Sequence, residues 1–208
     1  DGRLILLGHS MGSYVAQSYV LRAPASVDAL VVSGSTFASR AQLRVFRIVA
    51  AIEKFRQGTT GRSALLDKLS FGSFNKEFQP ARTGFDWLSR DEAEVDAYVT
   101  DPLCGGRSTN QLWRDLTGGL LEITSVAALR QLPVSLPVYI LGGEKDPVGG
   151  AKGLTRLHDA YREAGLAGTQ LRLYPEGRHE MFNETNRDEV SDDLLAWLRS
   201  PWDTDREN

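Results

Sequence analysis

The sequence predicts an α/β fold, a mostly parallel doubly wound sheet with a helical cap insertion. Three observations carry this expectation. Short apolar runs alternate with helical stretches near both ends of the chain, whereas residues 35–118 show helical periodicity and no strand pattern. The pentapeptide Gly8-His9-Ser10-Met11-Gly12 stands where a strand would turn into a helix. An aspartate and a histidine each follow directly on a later apolar run, at the strand ends where open parallel sheets collect reactive groups.

The elements follow in order. Leu4 to Leu7 is an apolar run that reads as a strand. Met11 to Arg22 reads as a helix, with Val15, Ala16, Tyr19 and Val20 on its inner side and Pro24 stopping it. Ala29 to Ser33, between Asp28 and Gly34, fits a buried parallel strand. In the insertion, Leu43, Phe46, Val49, Ile52 and Phe55, with Val45 and Ile48 beside them, recur at helical spacing and predict a helix with a broad apolar face. Phe71, Phe74, Phe78, Phe85 and Trp87 fall in a stretch of loop and short helix, and Asp91 to Val99 reads as another helix, ended before Asp101-Pro102.

Alternation then resumes. Leu120 to Leu132 is a helix closed by Pro133, and Val138 to Leu141 is a strand closed by Gly142-Gly143. Gly150 to Ala164 is a helix ended by Gly165, and Gln170 to Tyr174 is a strand. The last helix runs from Glu184 to Arg199, with Asn183 as N-cap, Pro201 after it and a frayed polar tail from Asp203 to Asn208. The charges between Glu184 and Asp193 read as its solvated face. The resulting division is core over residues 1–34, cap over 35–118 and core over 119–208.

Composition narrows the function. With 41% hydrophobic and 25% charged residues over 208 positions, the chain has an ordinary globular make-up. A formal charge of -3 without a basic cluster argues against nucleic acid as a partner. No apolar stretch approaches the ~18 residues of a transmembrane helix. The single cysteine, Cys104, is expected to be a small partly buried residue and cannot form an intramolecular disulfide; cysteine poverty points to a cytoplasmic location.

The pentapeptide carries the chemistry. A serine hydroxyl is a weak nucleophile at neutral pH and needs a base within hydrogen-bond reach and a backbone that presents it clear of its neighbours. A sharp strand-to-helix turn gives that presentation to Ser10, with Gly8 and Gly12 sparing it side-chain collisions. His9 is too close in sequence to serve Ser10 as base and reads as a packing or oxyanion-side residue. The candidate base is His179, within Gly177-Arg178-His179-Glu180, and the candidate acid is Asp146, within Gly142-Gly143-Glu144-Lys145-Asp146-Pro147. Glu144 competes for the acid's place, Pro147 favouring Asp146 by stiffening the turn. His158, in Leu157-His158-Asp159, reads as a surface or packing residue of a helix. The order Ser, Asp, His then assigns Ser10 as nucleophile, His179 as general base and acid, and Asp146 as the group that orients the imidazole.

These three motifs, together with Asn183-Glu184, Phe71-Gly72-Ser73-Phe74-Asn75 and Asp86-Trp87-Leu88-Ser89-Arg90-Asp91, resemble the α/β-hydrolase superfamily, and within it the branch of monoacylglycerol lipases, lysophospholipases and serine aminopeptidases. The resemblance implies hydrolysis of a carboxylic ester through an acyl-serine intermediate, without metal or organic cofactor, on a small-molecule ester such as a mono-acyl lipid. His9, Phe46 and Phe74 are the expected substrate contacts, a phenylalanine-rich cap being suited to an acyl chain. A peptidase or amidase of the same fold, or a ligand-binding protein that keeps the fold, are the alternatives.

The family also places strands ahead of the elbow, with a His-Gly loop supplying one of two oxyanion donors. Here those N-terminal strands are absent and the chain reads as the back half of such an enzyme. The Met11 backbone N–H remains as the other donor, and losing one donor costs about 3 kcal/mol of transition-state stabilisation. The Leu4 to Leu7 strand is then expected to be an open edge that pairs with the missing half or with another chain, and little turnover is expected of this chain alone.

Overall fold

A computed structural model describes residues 2–200 of the chain. The apolar runs become parallel strands β1 (Ile5–His9), β2 (Ala29–Ser33), β3 (Val138–Gly143) and β4 (Gln170–Tyr174), hydrogen-bonded in that order. Leu7 lies opposite Val31, and Ile140 opposite Leu171. Every residue of β2 and β3 is buried, which is why both read as unbroken apolar runs rather than alternating ones. Among the described residues β1 and β4 form the two edges, and near the β1 edge Leu4 and Leu7 are exposed.

Successive residues of each strand point to opposite faces, so two separate cores form. Leu30, Val32, Val138 and Ile140 pack against α1 (Met11–Arg22) and α7 (Gly150–Glu163) through Ala16, Val20, Leu154 and Leu157. Val31, Tyr139, Leu141 and Tyr174 pack on the other face against Val190 and Trp197 of α8 (Arg187–Arg199), where Trp197 stacks on Tyr139 at 5.0 Å.

Between β2 and β3 the chain forms α2 (Arg40–Gln57), α3 (Ala64–Phe71), α4 (Glu92–Thr100), α5 (Asn110–Ile123) and α6 (Val126–Leu129). Leu43 of α2 meets Leu120 and Ile123 of α5, and Ala50 meets Trp113 and Leu66. A buried polar knot joins the same helices. Glu53 accepts hydrogen bonds from Ser63 Oγ at 2.6 Å and Gln57 Nε2 at 2.8 Å, and the Ser63 hydrogen bond is the main cause holding its carboxyl below the usual range. The Asn110 side-chain amide reaches the carbonyls of Glu53 and Gly58.

Several elements differ from their sequence expectation. On α1 Ala16 and Val20 are buried, but Val15 and Tyr19, expected inside, are 62% and 46% exposed. The inner face is Ser13, Ala16, Gln17 and Val20, because α1 lies so close to β1 that a Cβ on Gly8 would collide with Ala16, and small side chains are favoured there. On α2 the broad apolar face is only partly used. Val45, Ile48, Ile52 and Phe55 stay exposed, since α3 and α5 cover one stripe of the helix.

The helix expected over Leu120 to Leu132 is α5 followed by α6. Thr109 caps α5 by accepting from the Leu112 N–H, and the helix stops at Thr124, whose backbone, at φ -86° and ψ 48°, leaves the helical conformation. Residues 118 and 119, where cap was expected to give way to core, thus lie inside one helix that also packs on α1. The last helix starts at Arg187 with Asn186 before it, not at Glu184 with Asn183 as cap. Glu184 is not on a solvated face at all. Its side chain is fully buried.

Cys104 is half-buried, as expected. Among the described residues no helix is long and apolar enough to cross a membrane. Pro201 and the tail from Asp203 to Asn208 lie outside the described residues.

Leu154 is fully buried between α7 and the sheet, whereas Phe55 is 92% exposed. Leu154→Ala is expected to lower the unfolding free energy by about 2–5 kcal/mol through the lost contacts and the cavity left behind. Phe55→Ser, which removes more apolar surface, is expected to stay within about 0.5 kcal/mol. Urea denaturation of the two variants checks both values.

Candidate functional site

The site begins at the turn between β1 and α1. Ser10 has φ 52° and ψ -124°, a left-handed conformation that a serine adopts only when its surroundings impose it. The imposing contacts are visible. The Ser10 N–H donates to the Ser33 carbonyl at 2.9 Å, and the Ser10 carbonyl accepts from the Ser13 N–H at 2.9 Å and the Ser13 hydroxyl at 2.6 Å. A side chain at Gly8 would run into the backbone of Gly12, so position 8 must be glycine. One at Gly12 would meet nothing within 4 Å, so only the first of the two flanking glycines is needed for space. Met11 opens α1, and its N–H, lacking an intrahelical acceptor, is free to bind an oxyanion beside Ser10.

The other two groups arrive on loops after β3 and β4. His179 Nε2 lies 2.9 Å from Ser10 Oγ, and His179 Nδ1 lies 3.0 Å from Asp146 Oδ1. A carboxylate only accepts, so Nδ1 carries the proton and Nε2 turns its lone pair to the serine hydroxyl. Both His179 and Asp146 are buried, at 2% and 4% exposure, which removes water that would weaken the pair. The rival Glu144 is exposed. Asp146 Oδ1 also accepts from the Val148 N–H at 2.9 Å, while Oδ2 is buried without a partner among the described residues.

The two loops are zipped together. The Glu144 N–H donates to Tyr174 and the Lys145 N–H to Gly177, an approach so close that a Cβ on Gly143 would overlap the Gly177 carbonyl. From the cap side, the carbonyls of Trp87 and Leu88 take the N–H groups of His179 and Glu180 at 3.3 and 2.8 Å.

The His179 ring sits between His9, with ring centroids 4.8 Å apart, and Trp87 at 5.1 Å. His9 Nδ1 is 3.1 Å from Ser33 Oγ. Burial, and secondarily the repulsion a protonated His179 would exert, lower its pKa to about 4 despite the opposing pull of Asp146, so His9 is neutral at ordinary pH.

A cavity of about 430 Å³ opens over Ser10 and His179. Of the three residues expected to touch substrate, His9 lines it and Phe46 and Phe74 do not. Phe46 packs edge-on against Trp113 between α2 and α5, and Phe74 packs behind Trp87 with ring centroids 4.9 Å apart. The aromatic wall is instead Phe71, Phe85, Trp87 and Tyr98, with the carboxylates of Asp67 and Glu180 beside it. Spacing gave no signal for these residues because they come from separate loops and helices. His158 pairs with its neighbour Asp159 on α7, apart from this cavity. Among the described residues no group of three or more His, Cys, Asp or Glu is placed to hold a metal ion. An imidazole between a hydroxyl and a buried carboxylate, with a helix-start N–H beside the hydroxyl, is equipped for acyl transfer.

The chain is similar to several known proteins. The monoacylglycerol lipase of Mycolicibacterium smegmatis is 28% identical over 196 residues, a match that takes in 94% of this chain and 62% of the relative. The chain therefore spans less than two thirds of that relative's length. A thermostable carboxyl esterase from Bacillus coagulans superposes with a TM-score of 0.83 at 24% identity, covering 96% of this chain and 65% of the esterase. A soluble variant of the Saccharomyces cerevisiae monoglyceride lipase gives 0.67 at 20% identity, covering 96% and 62%. At these identities the two structures speak for the shared fold. The family described as serine aminopeptidase, S33, matches residues 1–186, and the chain belongs to that family of the α/β-hydrolase superfamily.

Proposed function

We propose that this chain carries the catalytic centre of a serine hydrolase that cleaves carboxylic esters, with mono-acyl lipids as its substrate class. The observation that carries the reading is the continuous line from buried Asp146 through His179 to Ser10, with contacts of 3.0 and 2.9 Å. Ser10 Oγ attacks the ester carbonyl while His179 Nε2 takes its proton, and the Met11 N–H binds the oxyanion that develops. His179 then returns the proton to the leaving alcohol, and a water molecule activated in the same way releases the acyl group. Asp146 keeps Nδ1 protonated and offsets the charge of the imidazolium.

The neutral state of His9 belongs to this scheme, because a second cation 4.8 Å from the His179 ring would oppose imidazolium formation. The aromatic wall above Ser10 suits an apolar acyl group, and a relative named as a monoacylglycerol lipase supports the same substrate class. The family's description as serine aminopeptidases favours a second reading, cleavage of an aminoacyl amide at the same serine.

In the full-length protein a fluorophosphonate probe is expected to label Ser10, and Ser10→Ala to abolish the labelling; labelling that persists in this variant would remove the assignment. Asp146→Asn is expected to lower kcat by about ten-thousandfold by favouring the wrong imidazole tautomer, with KM nearly unchanged. Steady-state rates on matched monoacylglycerol and aminoacyl-amide substrates separate the two readings, the ester being expected to turn over faster.

Stability should carry the mark of His9. Its proton is bound less tightly in the folded state, at about 4, than in the unfolded chain, at about 6.5. Unfolding therefore takes up a proton between these values, and stability falls as pH drops from 6.5 towards 4. In His9→Asn the slope of unfolding free energy against pH in that window should be shallower by up to about 1.4 kcal/mol per unit, measured by urea melts, and the two slopes should coincide above pH 7.

A further inference from the structure

Glu184 is a charged side chain that the proposed chemistry does not use, yet it is fully buried. Its Oε1 accepts the backbone N–H of Arg178 at 3.0 Å and that of Arg90 at 3.1 Å. Its Oε2 accepts Arg90 Nε at 2.8 Å and the Thr185 N–H at 2.9 Å. The places of these donors in the chain matter. Arg178 immediately precedes His179, and Arg90 lies at the end of the cap segment whose Trp87 and Leu88 carbonyls hold the N–H groups of His179 and Glu180. One oxygen of Glu184 thus joins the backbone in front of the base to the strap that fixes the backbone behind it.

We infer that Glu184 is a positioning residue for His179, clamping residues 86–90 of the cap and the loop after β4 into one unit so that the imidazole is aimed by the cap as well as by the sheet. The inference rests on His179 being the general base. The loop needs such a clamp because it leaves an edge strand, and its ties to the core are the short contacts of the β3 loop with Tyr174 and Gly177. On the other side the strap is held by Arg178, whose guanidinium reaches the carbonyls of Asp86 and Ser89, and by Ser89 Oγ on the Asn183 carbonyl at 2.8 Å. Without the carboxylate, Arg90 loses its ion-pair partner and two backbone N–H groups lose a shared acceptor. The strap and the loop then keep the Arg178, Ser89 and backbone contacts but lose the tie beside the base, and a displacement near 1 Å at a catalytic group costs up to about a hundredfold in rate.

The test uses the full chain with Glu184→Gln, which keeps the shape and replaces one acceptor by a donor that faces other donors. With p-nitrophenyl butyrate as substrate, kcat is expected to fall about 10- to 100-fold while KM stays within about twofold, and fluorophosphonate labelling of Ser10 is expected to slow by a similar factor. Amide hydrogen exchange over residues 178–180 is expected to quicken at least about tenfold, with β3 unchanged. Exchange that is unaltered over 178–180, or that rises equally throughout the sheet, overturns the inference, as does a folded variant with wild-type kcat. If Glu184→Gln does not fold, Arg90→Lys decides, since it keeps the charge but loses the Nε contact. A smaller change in the same direction in kcat and exchange supports the clamp, and wild-type values for both overturn it. Failure of the probe to label Ser10 in the unaltered full-length protein would sink the hydrolase reading, whereas exchange over residues 178–180 judges the clamp either way.

Discussion

The hydrogen bonds from Asp146 through His179 to Ser10 depend on parallel pairing of β1, β2, β3 and β4, because parallel strands release all their following loops at one end of the sheet. Nothing local brings these three residues together: Ser10 and His179 are 169 positions apart in the chain. The register does the rest. His9 lies beside Ser33, Ser33 beside Leu141 and Leu141 beside Arg172, so the turns after β1, β3 and β4 emerge at nearly the same height and the side chains meet at hydrogen-bond distance.

Meeting at that distance demands close backbone approach, and the glycines at the strand ends permit it. Gly143 rides directly over the Gly177 carbonyl, and Gly8 lies against the backbone of Gly12. Gly34, at φ 58°, leaves room where a Cβ would come within 2.9 Å of the His9 ring and 3.0 Å of the His179 ring. Ser10, like Glu176 in the loop after β4, has a side chain at positive φ, and the surrounding hydrogen bonds hold it there. Its conformation is sustained by the packing of α1 against β1, which ties the presentation of the hydroxyl to the stability of the core below it.

The cap contributes more than a roof over the cavity. Its segment from Asp86 to Asp91 runs along the loop that bears His179, exchanging backbone and side-chain hydrogen bonds with residues 178–187. Aromatic side chains of this segment, of α3 and of α5 form a continuous row of ring contacts from Trp113 through Phe71 to Trp87 and on to the His179 ring. The cavity wall and the His179 loop are therefore held by the same contacts.

What the sequence determined by itself is whatever a short stretch of chain can encode. Unbroken apolar runs identified strands that are buried on both faces, and the Gly-x-Ser-x-Gly turn identified the elbow, because both depend on neighbours a few residues away. Asp146 and His179 were readable for a related reason, since strand ends can be located locally and the fold class then says where the reactive loops lie. Tertiary structure alone decided the rest. Val15 and Tyr19 have the spacing of core residues, yet the close fit of α1 on the sheet turns small side chains inward instead. Phe46 looks like a lid residue but serves a helix contact, and the true cavity wall is drawn from residues scattered between Asp67 and Glu180. Glu184 has the polarity of a surface residue, and only the arrival of Arg90 and the Arg178 N–H, from a distant segment and a turn, makes its burial favourable. A carboxylate's place is set by where its donors are, and in a folded chain most of those donors are far away in sequence.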